Sequence, residues 1–443
     1  MEMDGVEEAT TQQMEPSAHA AAAGGDLLSG LCDDVLAHIL GLAEYARDAV
    51  HTGVLSRRWR GLWRRAPALR FASWQQQGGS AEGFIALVDD TLSSPHGRSS
   101  DGGLDQLVIE FDVYDRACRN QQLLLPSIAA AERWIGYAVR HGVKSFHFEL
   151  SLPDDEDEDD YKDDDDDEVH EENSNEETPV LALNELPSSA KLEAMHLKLG
   201  DAWVRLPATV VFSSLTDLTL ESIMVAGDNV LLLLGRLVSS ACCPSLQKLR
   251  MCHITTRPRQ QNLLVEAGVL TELVLDGMFG MRSIELRTPN LRVLCIRYCH
   301  DLESFAVSVP RLLEEFTCQQ NPLLIINQDF PCVSSLKLDL YSHGHANVGD
   351  RSNHVNINLL QRCGSVSCLA LDLHISTVAS FDVDIIKGRI PELGHVRSLK
   401  ARVGPAMTSS GPHSVGNCVA SLLTLFNNLM CLHLYFGYRN KDI

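Results

Sequence analysis

LTELVL (270–275), LRVLCI (291–296), LEEFTC (313–318) and VSSLKL (333–338) are four copies of one six-residue pattern, apolar-x-x-apolar-x-apolar. The copies begin 21, 22 and 20 residues apart. Alternating apolar residues indicate a short strand with one buried face, and a repeat of this length indicates coils that stack on one another. The pattern therefore predicts a solenoid in which neighbouring strands pair into a parallel sheet.

The same pattern recurs on both sides of this central stretch, mostly at wider intervals. Many of the wider intervals contain residues with helical periodicity. We expect narrow coils that return through a second extended segment, such as 283–286 or 304–307, and wide coils that return through a helix. The expected helices are 129–142, 230–241, 353–364 and 416–428, and the other matches to the pattern begin at Leu104, Val143, Leu192, Leu215, Leu246, Val366, Val396 and Leu429.

A different pattern occupies residues 31–63, LCDDVLAHILGLAEYARDAVHTGVLSRRWRGLW. Two aspartates open it, where a helix N-terminus favours negative charge, and aliphatic residues then recur at three- and four-residue spacings. We expect three short helices, the third one carrying Trp59 and Trp63. Their apolar surface is larger than a unit below about 40 residues can bury alone, so we expect a partner to cover part of it.

The runs DDVLAHIL (33–40) and VLSRRW (54–59) resemble an F-box. Together with the repeats, they make the chain similar to the large family of plant F-box/leucine-rich-repeat proteins. The resemblance implies an α/β fold, with a small N-terminal three-helix F-box followed by an irregular leucine-rich-repeat solenoid that has a parallel concave sheet. Four residues depart from the family pattern. Cys32 stands where proline is usual, Glu44 and Tyr45 stand where many relatives carry Leu-Pro, and Gly53 falls within the second helix.

An F-box docks on the Skp-type adaptor of an SCF ubiquitin ligase and, through it, on a cullin. The resemblance therefore implies a non-catalytic subunit that recruits a protein target with its repeats and needs no cofactor or metal. The alternative is a repeat scaffold or ligand sensor with a vestigial F-box, which Cys32 and Gly53 keep open. The residues expected to form the adaptor surface are Leu31, Val35, Leu36, Ile39, Leu40, Val50, Leu55 and Trp59.

The concave face of the central coils is the expected target surface. Strand residues that alternate with buried leucines point to this face. They are mixed in charge and modest in size, which suits a protein or peptide better than nucleic acid. A solvated sheet face, with the target on the loops or the C-terminal coils, is an equally open interpretation. The residues of the expected target surface are Glu272, Val274, Val293, Cys295, Glu315, Thr317, Ser335 and Lys337.

Charge and composition suggest the domain organisation. Residues 154–177 contain seventeen acidic residues and one lysine, which is −16 of the net charge of −22 and leaves −6 for the rest. Such a segment cannot bury a core, so we expect a disordered insertion. The expected order is a disordered segment at 1–26, the F-box at 27–70, a helical connector at 71–103 and the solenoid at 104–443 with the acidic insertion at 153–178.

Several other classes of protein are disfavoured. The sequence contains no run of eighteen apolar residues, so it predicts no membrane-spanning helix. The first 25 residues do not resemble a signal peptide. None of the thirteen cysteines forms Cys-x-x-Cys, so we expect reduced core residues in the cytoplasm or nucleus. Common enzyme motifs are absent. Six arginines lie between residues 57 and 70, but the acidic remainder argues against a nucleic-acid partner.

Overall fold

The computed structural model describes residues 28, 30–75, 80–93, 103–113, 123–152, 180–227, 229–259, 261–341, 348–375, 390, 393–405 and 419–437. The segments predicted to be disordered, 1–26 and 153–178, lie outside these ranges. No helix in the described ranges is long and apolar enough to cross a membrane. The helices are α1 (Asp33–Gly41), α2 (Ala46–His51), α3 (Ala81–Ser93), α4 (Leu124–Arg140), α5 (Val230–Leu237) and α6 (Val348–Arg362), with 3₁₀ turns at Thr52–Val54, Leu62–Arg65, Ser73–Gln75 and Pro310–Leu312.

Parallel strands make up most of the regular structure. The largest sheet follows chain order from β1 to β17, with β4 added at the end of β5, while β8, β10 and β12 form a separate three-stranded sheet. The strands are β1 (Ala68–Ala72), β2 (Gln106–Asp112), β3 (Ser145–Ser151), β4 (Val180–Ala182), β5 (Ala194–Arg205), β6 (Asp217–Ala226), β7 (Lys248–Arg257), β8 (Gln261–Glu266), β9 (Glu272–Phe279), β10 (Met281–Arg287), β11 (Val293–Arg297), β12 (Ser304–Val307), β13 (Glu315–Gln319), β14 (Ser335–Tyr341), β15 (Cys368–Ile375), β16 (Ser398–Pro405) and β17 (Cys431–Phe436).

The repeat pattern predicted the large sheet correctly. Each of the twelve predicted strands begins two residues after the first apolar position of its pattern, as β9 does after Leu270. The fourth and sixth positions point inward, and Leu273 and Leu275 are fully buried. The second extended segments at 283–286 and 304–307 are confirmed by β10 and β12. Three of the predicted return helices are confirmed by α4, α5 and α6, and a shorter helical turn covers 419–423.

Two features near the N-terminus differ from the predictions. The third α-helix expected around Trp59 is wrong, because residues 57–61 form turns and only 62–65 form a 3₁₀ helix. Gly61 leaves the helical conformation with φ −160°, and the Trp59 carbonyl accepts the N–H groups of both Gly61 and Leu62. The second difference is β1, an additional strand that pairs with β2 in parallel.

In each of five successive coils, one residue in the left-handed conformation interrupts or ends the extended strand. We call these five residues the left-handed ladder. Ser222, His253, Gly277, Tyr298 and Gln320 each have φ between +51° and +64° and stand five residues after the first residue of their strand. Because β6, β7 and β9 make this turn at the same level, their pairing resumes in register beyond it, as Ile223 with Ile254 and Ile254 with Met278. The turn lets these strands extend the sheet past the six-residue pattern.

The N-terminal helices share one continuous core with the repeats. Leu36 and Leu40 of α1 belong to the same buried cluster as the strand leucines as far as Leu399. The aromatic rings of Phe84, Phe111 and Trp134 pack against one another with centroids 5.2 to 6.0 Å apart. The Trp134 indole N–H donates to Asp89 Oδ1 at 2.8 Å, so this buried polar atom is satisfied.

Candidate functional site

The first candidate surface lies on α1 and the turns that follow α2. The start of α1 is held by two arginines from the 56–65 segment. Arg58 Nε donates to Asp33 Oδ1 at 2.9 Å, and Arg65 pairs with Asp34. These carboxylates stand in the first turn, where the helix dipole favours negative charge. The pairs are solvent-exposed, so they orient the segment more than they stabilise it.

The structure divides the predicted adaptor residues between the interior and the surface. Leu36, Leu40 and Trp59 are buried, Leu31 and Val50 are half-buried, and Val35, Ile39 and Leu55 are exposed. Two strongly exposed apolar residues, Leu42 and Val54, were missed. Both belong to the aliphatic pattern of 31–63, which indicates an apolar helix surface but does not tell which residues reach solvent.

The exposed aliphatic residues of α1, together with Leu42 directly after the helix, form one stripe. Val35, Ile39 and Leu42 are spaced by four and three residues, so they lie on the same side of the helix. Leu36 and Leu40 occupy the other side and are packed into the core. The helix is therefore apolar on both sides, and the described part of the chain covers only one of them. Val54 and Leu55 add apolar surface in the next turn, with 86% and 66% of their area exposed.

The second candidate surface is the face of the large sheet that points away from the buried leucines, the one expected to be concave, which we call the concave face. The predicted residues do lie together there, because the register aligns Glu272, Val293, Glu315 and Ser335 across four neighbouring strands. A parallel row of Val274, Cys295, Thr317 and Lys337 lies two residues further along the strands. Their surroundings differ, since Val274 is buried and Glu315 is exposed. Glu272 accepts a hydrogen bond from Arg250 at 2.5 Å, so it is already neutralised within this face.

A third row on this face was not predicted. Arg297 donates to Asp276 at 2.6 Å, and Gln319 Nε2 donates to Asp372 Oδ2 at 2.7 Å. Asp339, on β14 between the strands of Gln319 and Asp372, is only 1% exposed. Burial raises the pKa of the Asp339 carboxyl. On β9, β11, β13 and β14, each residue of this row lies two positions further along its strand than the last predicted residue, as Asp276 does after Val274. Extending the alternation by one more step would have found the row.

The concave face also contains an open cavity of about 370 Å³ over β1, β2, β3, β5 and β6. Small side chains such as Ser145, Ala194 and Thr219 line it. The rings of His147 and His196 meet edge-on inside it, with centroids 4.3 Å apart. Burial, and then the proximity of His196, lower the pKa of His147, so this imidazole is neutral at physiological pH.

Charged residues border the histidine pair. His196 Nε2 lies 3.6 Å from Glu221 Oε2, and Lys198 donates to Glu149 at 2.5 Å. The pKa of Glu221 is lowered, first by the neighbouring His196 imidazole and also by the nearby Lys198 charge. Among the described residues, no cluster of histidine, cysteine and acidic side chains could hold a metal ion. The cavity is therefore lined by both neutral and charged polar groups.

Comparison with known proteins identifies relatives from Arabidopsis thaliana, although no family model matches the chain. A putative FBD-associated F-box protein is 36% identical over 63% of this chain and 53% of its own length. An F-box/FBD/LRR-repeat protein is 24% identical over 66% of this chain and 57% of its own length. F-box/LRR-repeat protein 13 is 31% identical over 28% of this chain and 26% of its own length.

The chain thus spans about half the length of the first two relatives. All three are named as F-box proteins, and two are named for leucine-rich repeats, which agrees with the coiled parallel sheet. The chain is thus similar to plant F-box/leucine-rich-repeat proteins, at modest identity and over about half the length of the first two relatives.

Proposed function

We propose that this protein is the substrate-recognition subunit of an SCF-type ubiquitin ligase. In this role the N-terminal helices dock on a Skp-type adaptor and, through it, on a cullin, while the repeats hold a protein target. The chain supplies proximity rather than chemistry, because fixing a target near the ubiquitin-loaded enzyme raises the effective concentration of its lysines. The F-box names of the three relatives support this function.

The observation that carries the proposal is the uncovered apolar stripe on α1. Exposed aliphatic residues scattered singly are normal, but three along one side of a nine-residue helix and its C-cap residue form a contiguous apolar surface of the kind that marks a docking site. A partner helix that covered Val35, Ile39 and Leu42 would gain about 1 to 2 kcal/mol from each side chain. Val54 and Leu55 would add to this gain, which must exceed the entropy lost on association.

A pull-down with a plant Skp-type adaptor tests the proposal. The variant Ile39→Glu with Leu55→Glu places charges on exposed positions, so its fold should be preserved while adaptor binding is lost. Leu36→Ala would be a poor test, because Leu36 is fully buried and its truncation would destabilise the domain. The matched control is Leu232→Glu on α5, an equally exposed leucine outside the N-terminal helices.

The result separates the two functional classes. Co-purification of the wild-type chain and the Leu232 control, with loss in the double variant, supports a ligase subunit. A wild-type chain that fails to bind any Skp-type adaptor would instead favour the repeat scaffold or ligand sensor with a vestigial F-box. Binding that survives both substitutions in a folded protein would remove α1 and the Leu55 turn from the interface.

A further inference from the structure

Most lysines and arginines on the upstream part of the concave face are neutralised within the chain. Four of them, on β5, β7 and β11, each lie beside a carboxylate of a neighbouring strand. The pairs are Lys198 with Glu149 at 2.5 Å, Lys248 with Asp217 at 3.9 Å, Arg250 with Glu272 at 2.5 Å and Arg297 with Asp276 at 2.6 Å. These strands therefore present little uncompensated positive charge to a target.

The downstream part of the same face is different. Lys337, Lys400 and Arg402 lie on β14 and β16, and none of them has an ion-pair partner among the residues that the structure describes. We name these three residues the C-terminal basic patch. The register places Ala370 directly between Lys337 and Lys400, so a small side chain separates the two lysines. Lys400 is exposed, while Lys337 and Arg402 are half-exposed.

Two carboxylates lie close to the patch but do not neutralise it fully. Asp339 is buried and accepts hydrogen bonds from the Gln320 N–H and from Asn356 Nδ2. Asp372 faces Arg402 in the register, is almost fully buried and accepts from Gln319. Even if Asp372 offsets one charge, the patch retains a surplus of positive charge on its exposed side.

We propose that the C-terminal basic patch binds an acidic segment, rich in aspartate or glutamate, of the protein target. The inference rests on the proposed function, since it names the kind of target segment that the repeats would recruit. Opposite charges placed across an interface accelerate encounter and select the partner. Two lysines and an arginine without a paired carboxylate, grouped on a face where four upstream cations are paired, provide such a charge pattern.

The spacing of the patch suits an extended peptide. Neighbouring strands are about 4.8 Å apart, so the backbones of Lys337 and Lys400 are about 10 Å apart across Ala370. Lys400 and Arg402 are two residues apart on one strand, or about 7 Å. Alternate residues of an extended peptide have the same spacing of about 7 Å, so glutamates at alternate positions can reach successive cations.

The negative charge of the whole chain does not cancel this attraction. The net charge is −22, but charges separated by more than about 8 Å are largely screened at physiological ionic strength. The patch therefore acts on groups that come close to it. Arg70 on β1 also lacks a described partner, yet its register neighbour is Val108 and it stands apart from other cations of the face. It does not form a comparable patch.

Fluorescence anisotropy with the 443-residue chain tests the inference without any adaptor. The probe is a labelled peptide in which glutamate alternates with glycine, and the comparison peptides carry glutamine or phosphoserine in place of glutamate. We expect the variant Lys337→Gln with Lys400→Gln to bind the glutamate peptide about tenfold more weakly. The matched control is Lys248→Gln, a similarly exposed lysine of the same face that is already paired with Asp217.

Each outcome decides the inference. Salt-sensitive binding of the glutamate peptide that is lost in the double variant and kept in the control supports it. Absence of binding by the wild-type chain, or equal weakening by the Lys248 control, overturns it, and binding of the phosphoserine peptide alone overturns the choice of carboxylates. If the double variant melts early, Lys337→Arg with Lys400→Arg must bind as the wild type does. Failure of adaptor binding would leave this measurement unaffected, so the two proposals fail separately.

Discussion

Replacement of Gly277 by alanine tests the ladder of left-handed residues directly. Gly277 has φ +64°, a conformation that costs an alanine about 1 to 2 kcal/mol. An added Cβ would also lie 2.7 Å from Nδ1 and 3.2 Å from Cε1 of His253, the ladder residue of the neighbouring strand. To avoid this contact, the His253 side chain must rotate away from its present conformation, and an off-rotamer side chain costs about 0.5 to 1.5 kcal/mol.

The opposing contribution comes from the unfolded chain. Alanine restricts the unfolded backbone more than glycine does, which favours folding by about 0.4 to 1 kcal/mol. Because the folded-state penalties are larger, we expect Gly277→Ala to lower the free energy of unfolding by about 1 to 2 kcal/mol. For a chain of this size the melting temperature should fall by a few degrees.

Thermal unfolding followed by circular dichroism measures the change, and two further variants identify its cause. Gly364→Ala is the matched control, because its Cβ would meet no atom within 4 Å and its φ is not left-handed. Adding His253→Ala to Gly277→Ala removes the contact and leaves the backbone penalty, so a double-mutant cycle separates the two. A Gly277→Ala protein as stable as the wild type, or a Gly364 control that loses as much, would refute this reasoning.

Three further predictions address the core, the F-box and the acidic segment. Burial raises the folded-state pKa of Asp339 above its unfolded value, so its contribution to stability is present at low pH and is lost as pH rises through the folded pKa. Asp339→Asn should therefore raise the melting temperature at neutral pH, and the gain should shrink as pH falls; an equal loss of stability at every pH would contradict this. Cys32→Pro should raise the free energy of unfolding by about 0.5 kcal/mol, because Cys32 precedes α1 with φ −72°, which suits proline, and melting of the variant measures the gain. Deletion of 154–177 should leave the melting temperature nearly unchanged, since loop length affects closure entropy only weakly; cooperative unfolding of the deletion variant would mean that the segment belongs to the core.

The strands could be predicted from the sequence because their apolar positions carry a strong physical signal. Each repeat must bury its alternate residues in the same interior, so the spacing of leucine and valine fixes where each strand begins. The missed strand β1 follows the same pattern, with Leu69 and Phe71 buried. Its first apolar position is Ala66, which is too small to stand out, and Pro67 follows it. The pattern therefore identifies strands only when the first position is large.

The helix predicted around Trp59 shows where an amphipathic pattern fails to predict the type of structure. Trp59, Leu62 and Trp63 have helical spacing, and Leu62 is buried as the pattern requires. A 3₁₀ turn can also bury residues three positions apart, so the spacing does not select the α-helix. Gly61 and the reach of Arg58 to Asp33 favour the turns, and this long-range pair cannot be read from spacing alone. The left-handed ladder was hidden in the same way, because four of its five residues are not glycine.

The positions of the candidate surface residues could be predicted from the sequence, but which of their charges are paired within the chain could not. Alternation places Glu272 and Lys337 on the same face, and in the sequence they appear equally available to a target. In the folded protein, however, Glu272 forms an ion pair with Arg250 on the neighbouring strand, while no described carboxylate pairs with Lys337. An internally paired charge must lose its partner before it can bind a target, so it contributes less to recognition than an unpaired charge. For this reason the structure directs the search for a target surface from β9 and β11 toward β14 and β16.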